Sequence, residues 1–192
     1  MDKPPLHIRS AETVDAEDLS RVHRASWFNA YHGILNGSAL REAVARRNAH
    51  WWRSAVEKLN AEPASSGRHF RDSGTRSRSS RLLVLEFDGD IAGYANFGTG
   101  RRSYPPYSAS RWGEIFELYL LPEFQGLGFG RTLFQRVRAD LKDMEHGPLI
   151  VWALEANDQA TGFYRALGGD AFVRSHEMFG GTQTPTIGFR WI

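Results

Sequence analysis

The segment Leu118-Tyr-Leu-Leu-Pro-Glu-Phe-Gln-Gly-Leu-Gly-Phe-Gly-Arg131 joins the end of an apolar strand to a tight turn and the start of a helix. Pro122 ends the strand, and Gly126, Gly128 and Gly130 permit backbone conformations and close approaches that larger residues resist. The first turn of the following helix has unpaired N–H groups and a partial positive charge. Together these features predict a cradle for a diphosphate group.

Three other interpretations of this glycine-rich turn compete with the diphosphate cradle. A dinucleotide-binding fingerprint needs G-x-G-x-x-G, but Arg131 stands at the position of its third glycine. A nucleotide P-loop needs G-x-x-x-x-G-K-[S/T], which is absent from the segment. The third interpretation is a glycine-rich connection that binds no ligand, and the turn by itself does not exclude it.

The segments around the turn predict a sheet with helices on it. Upstream, LLVLEF and IAGYANFG read as strands joined by a hairpin turn at 88–90, and EIFELYLL is the strand that enters the glycine-rich turn. Downstream we expect an amphipathic helix over 131–144 and a buried strand, PLIVWALE. A helix capped by Asn157 or Asp158 follows, and then two closing strands, AFVRSHEMF and TIGFRWI.

The first eighty residues predict a short edge strand at 6–9 and two helices. Helical spacing of apolar residues favours a helix over 15–31 and a second one from Ser38, its expected N-cap, through Leu59. Residues 60–80 are rich in glycine, serine and arginine, and we interpret them as a long mobile loop. The whole chain, residues 1–192, is expected to form a single domain.

The composition excludes several classes of protein. With 192 residues, 41% hydrophobic and 24% charged, the chain is long and apolar enough for one core. The absence of cysteine excludes disulfides and thiolate chemistry, and seven scattered histidines give no support for a metal site. A net charge of +2 gives little support for binding nucleic acid. Without a signal peptide or a membrane-spanning run, we expect a cytoplasmic protein that does not bind membranes.

The motifs resemble those of the GNAT family of N-acetyltransferases. The family's diphosphate loop, Q/R-x-x-G-x-G/A, is present as Gln125-x-x-Gly128-x-Gly130 at the end of the fourth strand. The family's second signature, often written WxLExNxxAxxFYxxLGF, is similar to residues 152–168, and HRASWFNAYHGIL at 23–35 is similar to the first helix of many small bacterial members. Two departures are the long segment at 60–80 and Gly169, which replaces an aromatic residue.

The resemblance implies an α/β, three-layer GNAT fold: a central mixed, mostly antiparallel sheet of about seven strands flanked by about four helices. In the family, acetyl-CoA lies where the fourth and fifth strands splay apart, and its pantetheine arm pairs with strand backbone. Carried onto this chain, the implied cofactor-binding residues are Leu118, Tyr119, Leu120, Gln125, Gly126, Leu127, Gly128, Phe129, Gly130, Arg131, Asn157 and Tyr164.

The implied activity is transfer of an acetyl group from acetyl-CoA, without a metal, to a primary amine of a small molecule, peptide or protein. The amine must lose a proton, and Glu117 is the first choice of base, although a surface carboxylate is an equal interpretation. Glu114 and Glu155 are alternatives, and strand alternation is expected to place Glu114 on the opposite face from Glu117. Tyr164 matches the family's proton donor to the leaving thiolate, or else is a core aromatic.

The acceptor site is expected between the first helices, with Trp27, Tyr31 and His32, the loop from Tyr104 to Tyr107 and the final hairpin. Two other functions stay open. One is a non-catalytic CoA-binding or regulatory module on the same fold, and the other is a nucleotide-binding protein that uses the same turn. A homodimer is compatible with the sequence.

Overall fold

The structure, a computed structural model, describes residues 6–61, 80–108 and 111–192. The strands are β1 (Leu6–Ser10), β2 (Ser80–Phe87), β3 (Asp90–Thr99), β4 (Gly113–Leu120), β5 (Leu149–Leu154), β6 (Asp170–Phe179) and β7 (Thr182–Trp191). The α-helices are α1 (Ala16–Tyr31), α2 (Gly37–Ala45), α3 (Ala49–Ala61), α4 (Phe129–Asp143) and α5 (Asp158–Ala166). The mobile loop predicted at 60–80 lies outside the described residues, except for its two ends in α3 and β2.

The seven strands form one sheet in the order β1-β2-β3-β4-β5-β7-β6. Neighbouring strands are antiparallel, except that β4 and β5 are parallel. A parallel pair needs a crossover connection, and α4 provides it. The predicted mixed, mostly antiparallel sheet is therefore confirmed, with β1 at its edge.

Helices cover both faces of the sheet. On one face, α4 buries the stripe Leu133, Phe134, Val137 and Leu141, and α5 adds Tyr164 to the same core. On the other face, α1 and α3 bury Leu19, Val22, Trp52 and Val56 against β2 and β3. These layers account for the apolar spacing seen in the sequence. Within the described ranges, no helix is both long and apolar enough to cross a membrane.

The prediction of one continuous helix from Ser38 to Leu59 is wrong, because α2 ends at Ala45 and α3 begins at Ala49. Asn48 causes the break: its Oδ1 accepts a hydrogen bond from the Trp51 N–H at 3.0 Å and so caps a new helix. The two halves also pack differently, α2 against Leu154 and α3 in the core beneath β2.

The N-cap of α2 is Asn36 and not Ser38. The Asn36 Oδ1 accepts a hydrogen bond from the Ala39 N–H at 2.8 Å, and the Ser38 hydroxyl donates to the same oxygen. The cap therefore lies two residues earlier than predicted, and the helix begins at Gly37. The break gives five α-helices around the sheet in the described ranges, where about four were expected.

Candidate active site

A gap opens where β4 and β5 separate. The two strands pair only from Gly113 to Ile115 and from Leu149 to Val151, after which β4 stays with β3 and β5 stays with β7. The gap forms a cavity of about 320 Å³, which is lined by β4, β5, α1, α5 and the glycine-rich turn. Glu117 and all the implied cofactor-binding residues except Leu127 and Phe129 line this cavity.

The three glycines of the turn serve two different purposes. Gly126 and Gly128 have φ values of 75° and 87°, in the left-handed region that favours glycine, and a Cβ added at either would meet nothing within 4 Å. Gly130 has ordinary backbone, but a Cβ there would lie 3.2 Å from the Phe163 ring. The first two therefore shape an open cradle, and the third lets α4 pack against α5.

Gln125 ties the turn to its neighbours. Its Nε2 donates to the Leu120 carbonyl at 3.0 Å, and its Oε1 accepts from Gln159 Nε2 at 2.6 Å. Behind it, α4 begins with the hydrogen bond from the Thr132 N–H to the Gly128 carbonyl, at 3.1 Å. The earlier N–H groups of the helix have no carbonyl in the helix to bind, and they can bind an anion.

Asn157 and Tyr164 reach the cavity from α5. The Asn157 Oδ1 accepts a hydrogen bond from the Ala160 N–H at 3.0 Å, which caps the helix as expected. Two turns later Tyr164 is buried against Phe189 and Trp191, yet it also lines the cavity. Its hydroxyl has no hydrogen-bond partner in the part of the chain that is described, and burial raises its pKa, so it stays protonated.

An extra residue in β4 changes which side chains face the cavity. Asn96 of β3 stands opposite Glu117, while the next residue, Phe97, stands opposite Ile115. Phe116 is therefore a β-bulge, an unpaired residue at which the alternation of side chains along the strand is interrupted.

The prediction that Glu114 and Glu117 lie on opposite faces of the sheet is wrong. Ile115 packs in the same core cluster as Leu118 and Leu120, on the α4 side, so both glutamates face the α1 side. Arg101, which binds Glu114, is also close enough to Glu117 for the two charges to influence each other. The cause is the bulge between the two glutamates.

The Glu117 side chain is largely buried and is held at both carboxylate oxygens. Its side chain is 9% exposed, so its interpretation as a surface carboxylate is wrong. Asn96 Nδ2 donates to Oε2 at 3.3 Å, and Arg47 Nη2 lies 3.0 Å from Oε1. Burial raises the pKa of Glu117, and Arg47, Asn96 and Arg101 oppose that rise. A carboxylate in this setting is a stronger base than an exposed one.

The other two candidate bases are placed differently. Glu114 is buried and accepts hydrogen bonds from the Arg101 N–H at 2.8 Å and from Arg101 Nε at 2.9 Å. Glu155 is exposed and pairs with Arg174 at 2.9 Å. Neither lines the cavity, which leaves Glu117 as the carboxylate in position.

The α1 end of the cavity carries a network of aromatic and polar side chains. The Tyr31 and Tyr119 hydroxyls lie 2.9 Å apart, and His23 Nδ1 lies 2.7 Å from the Tyr94 hydroxyl. Burial, together with the charge of Arg47, lowers the pKa of His23 to about 3. His23 is therefore neutral at physiological pH.

The predicted acceptor walls are only partly at the cavity. Tyr31 lines it, and Trp27 packs between Tyr31 and Phe179 of the final hairpin. His32 is exposed and does not line the cavity, and Tyr104 packs instead against Trp112.

Sequence reasoning missed Arg47 and Asn96, the two residues that hold Glu117. Neither belongs to a recognisable motif, and both reach Glu117 only through the tertiary structure. Ser26 and Ala30 of α1 also line the cavity and were missed. Their spacing of four residues placed them on one helix face, but gave no reason to choose that face.

No group of three or more His, Asp or Glu side chains converges to hold a metal ion within the described ranges. The expectation that no metal is needed stays a prediction.

Comparisons with known proteins agree with this geometry. The model of the acetyltransferase (GNAT) family matches residues 44–168. An uncharacterized N-acetyltransferase of Bacillus subtilis, YuaI, is 24% identical over 184 residues, covering 96% of this chain and 91% of the relative. PaiA N-acetyltransferase from Thermoplasma acidophilum, solved in complex with coenzyme A, has a TM-score of 0.69 at 16% identity, covering 95% of this chain and 98% of its own. yncA from Salmonella typhimurium, solved with its cofactor acetyl-CoA, has a TM-score of 0.59 at 18% identity, covering 97% of this chain and 92% of its own.

Proposed function

This chain belongs to the GNAT acetyltransferase family, and on that premise we propose that it transfers the acetyl group of acetyl-CoA to a primary amine of a small molecule, peptide or protein. One observation carries the proposal: the open glycine cradle, Glu117 with its largely buried carboxylate, and Tyr164, whose hydroxyl has no partner among the described residues, all line one cavity. The PaiA and yncA structures, with coenzyme A and acetyl-CoA, support the choice of cosubstrate.

The cavity fits an extended molecule with an anionic end. The open space at Gly126 and Gly128 and the N-terminus of α4 suit a diphosphate. Beyond Ile115, β4 no longer pairs with β5, so this edge is free to bond an added strand-like chain through Leu118, Tyr119 and Leu120. These residues would hold the pantetheine arm, with Asn157 at the α5 side.

Bound acetyl-CoA supplies a thioester, which a neutral amine can attack. Glu117 is the group that removes the amine's extra proton, directly or through a water. Its raised pKa brings it closer to neutral pH, where a general base is most effective. Because Arg47 and Asn96 fix both oxygens, the carboxylate keeps one orientation.

Tyr164 is the proposed proton donor to the departing thiolate. Its raised pKa keeps the hydroxyl protonated, and the described residues offer that hydroxyl no competing partner. Tyr31, at the acceptor end, lines the same cavity as Tyr164. In this proposal Glu117 accepts a proton from the attacking amine, and Tyr164 donates a proton to the departing thiolate.

The acceptor amine is proposed to enter from the α1 side, past Ser26, Ala30 and Tyr31. These side chains leave a partly apolar entrance that ends at Glu117. A cytoplasmic location is part of the same proposal.

Two measurements test this function together. Melting temperatures with acetyl-CoA, CoA, ATP and NAD identify the cosubstrate, because a ligand that binds only the folded state stabilises it. Release of free CoA thiol with a panel of amines then measures turnover. Stabilisation by acetyl-CoA with amine-dependent release supports the proposal. Stabilisation without release by any amine would favour a CoA-binding module, and stabilisation by ATP or NAD alone would favour a nucleotide-binding protein.

A further inference from the structure

The break between α2 and α3 brings an arginine to the base. Arg47 lies in the turn between these helices, and its Nη2 atom is 3.0 Å from Oε1 of Glu117. Its guanidinium carbon lies 3.8 Å from the centre of the Trp51 ring. The Arg47 side chain is 29% exposed and that of Glu117 is 9% exposed. The contact is thus a largely buried ion pair, held in place by an aromatic face.

We propose that Arg47 is a positioning residue that keeps Glu117 ionised and oriented to accept the proton of the acceptor amine, an inference that rests on the proposed function of Glu117 as the base. A buried carboxyl group without a cation takes up a proton, and a protonated carboxyl cannot accept another one. Arg47 pairs with Oε1 of Glu117, and Asn96 donates a hydrogen bond to Oε2. Each oxygen keeps a free lone pair for an amine or a water.

Other charged and titratable groups face Glu117 from the elements around it. They are Tyr31 of α1, Tyr94 of β3, Tyr119 and Glu114 of β4, Arg101, which follows β3, and His23 of α1, which bonds to Tyr94 and is influenced by Arg47. Glu177 of β6 acts on Tyr31 and Arg101 and so belongs to the same surroundings.

Of the two cations that influence Glu117, Arg47 and Arg101, Arg47 acts more strongly. Arg101 is 57% exposed and already pairs with Glu114, so its effect on Glu117 is screened. Arg47 forms no ion pair with a carboxylate other than Glu117 within the described ranges. Because burial raises the pKa of Glu117 and Arg47 is the first influence opposing it, loss of Arg47 raises that pKa further.

The neighbouring Arg46 is a matched control. It is also an arginine in the turn after α2, but its side chain is 74% exposed and it pairs with Glu42 on the surface. Replacing Arg46 removes one positive charge from the same segment without touching Glu117.

The experiment compares pH profiles of kcat/KM for the wild type, Arg47→Met, Arg47→Lys and Arg46→Met, using one amine that the wild type acetylates. In Arg47→Met the acidic limb should move to higher pH by about one to two pH units, because the lost cation no longer favours the carboxylate. Activity should recover above the new pKa. Arg47→Lys keeps the charge and should stay close to the wild type, and Arg46→Met should match it.

A direct titration of the Glu117 carboxyl carbon by NMR, with Glu117→Gln to assign the signal, gives the same answer without any turnover. If Arg47→Met does not fold, Arg47→Gln replaces it, since glutamine keeps a donor for Oε1 but no charge. An acidic limb and a carboxyl pKa that both stay at the wild-type values in the uncharged variant would overturn the inference. If the wild type acetylates no amine, the proposed function fails, but the NMR titration still decides whether Arg47 sets the ionisation of Glu117.

Discussion

Asn96 and Glu117 stand directly opposite each other in neighbouring strands, and Asn96 Nδ2 lies 3.3 Å from Oε2 of Glu117. This pairing depends on the bulge at Phe116. Without the bulge, Phe116 would stand opposite Asn96, and the Glu117 side chain would point to the other face of the sheet. The bulge lies where β4 leaves β5. One irregularity in the strand thus places the candidate base at the mouth of the gap.

Glu117→Gln should lower kcat by about 10²–10⁴, the usual contribution of a general base. The amide keeps the shape of the carboxylate but cannot take a proton, so the acidic limb of the kcat/KM profile should disappear as well. Steady-state kinetics across the pH range measures both effects. Glu155→Gln is the control, because Glu155 is paired with Arg174 outside the cavity. A Glu117→Gln enzyme with the wild-type kcat would remove Glu117 from the reaction.

Tyr164→Phe should lower kcat by about 10²–10⁴ and leave KM and stability close to the wild type. The ring keeps its contacts with Phe189 and Trp191, and only the donor is lost. The hydrogen bond from Tyr164 strengthens as negative charge develops on the leaving sulfur, so its loss should lower kcat. Tyr107→Phe, at a partly exposed tyrosine that does not line the cavity, controls for loss of a hydroxyl. Equal kcat values for Tyr164→Phe and the wild type would leave Tyr164 a packing residue.

Gly128→Ala and Gly89→Ala form a matched pair. Both glycines have φ near +87° (87° and 86°), and neither has an atom within 4 Å of an added Cβ, so each variant should lose about 1–2 kcal/mol of stability through backbone strain. Only Gly128 belongs to the proposed cradle. We therefore expect Gly128→Ala to weaken CoA binding by about tenfold or more, and Gly89→Ala to leave it unchanged. Calorimetric titration with CoA measures this, and similar affinities for both variants would assign the turn another role.

The buried, neutral His23 should make the fold sensitive to acid. Its pKa is about 3 in the folded protein, whereas an unfolded histidine titrates near pH 6.5, so the unfolded state binds more protons between these values. The stability that His23 contributes is therefore complete above pH 6.5 and is lost as the pH falls towards 3, by at most about 1.4 kcal/mol per pH unit.

Urea unfolding at pH 7 and pH 5 tests this. His23→Gln, which can still bond the Tyr94 hydroxyl, should lose less stability on acidification than the wild type. His50→Gln, at an exposed histidine, should behave as the wild type does. The same acid-induced loss in His23→Gln and the wild type would contradict the assignment.

Local patterns in the sequence predicted the features that depend on neighbouring residues. The glycine-rich turn, the cap at Asn157 and the position of Tyr164 two turns later all follow from short-range spacing, and the structure shows each turn, cap and helix there. Their roles in catalysis stay predictions. The apolar run of β5 likewise predicted a strand covered on both faces.

Features set by the tertiary structure could not be predicted in this way. Strand alternation was applied to Glu114 and Glu117 without the bulge, because nothing in EIFELYLL marks Phe116 as an extra residue. The break at Arg46-Arg47-Asn48 contains no glycine or proline, so the helical period continued through it. Arg47 reaches Glu117 only because of that break, and so the partner of the proposed base was missed.

A single-turnover reaction with acetyl-CoA labelled with carbon-13 in its acetyl carbonyl tests whether the protein transfers the acetyl group to an amine. The protein, in excess over the labelled acetyl-CoA, is mixed with the amine panel, and NMR follows the carbonyl carbon. We expect the thioester signal to be replaced by an amide signal, quickly in the wild type and slowly in Glu117→Gln. A label that stays in the thioester with every amine, or that appears only as acetate, would contradict acetyl transfer to an amine.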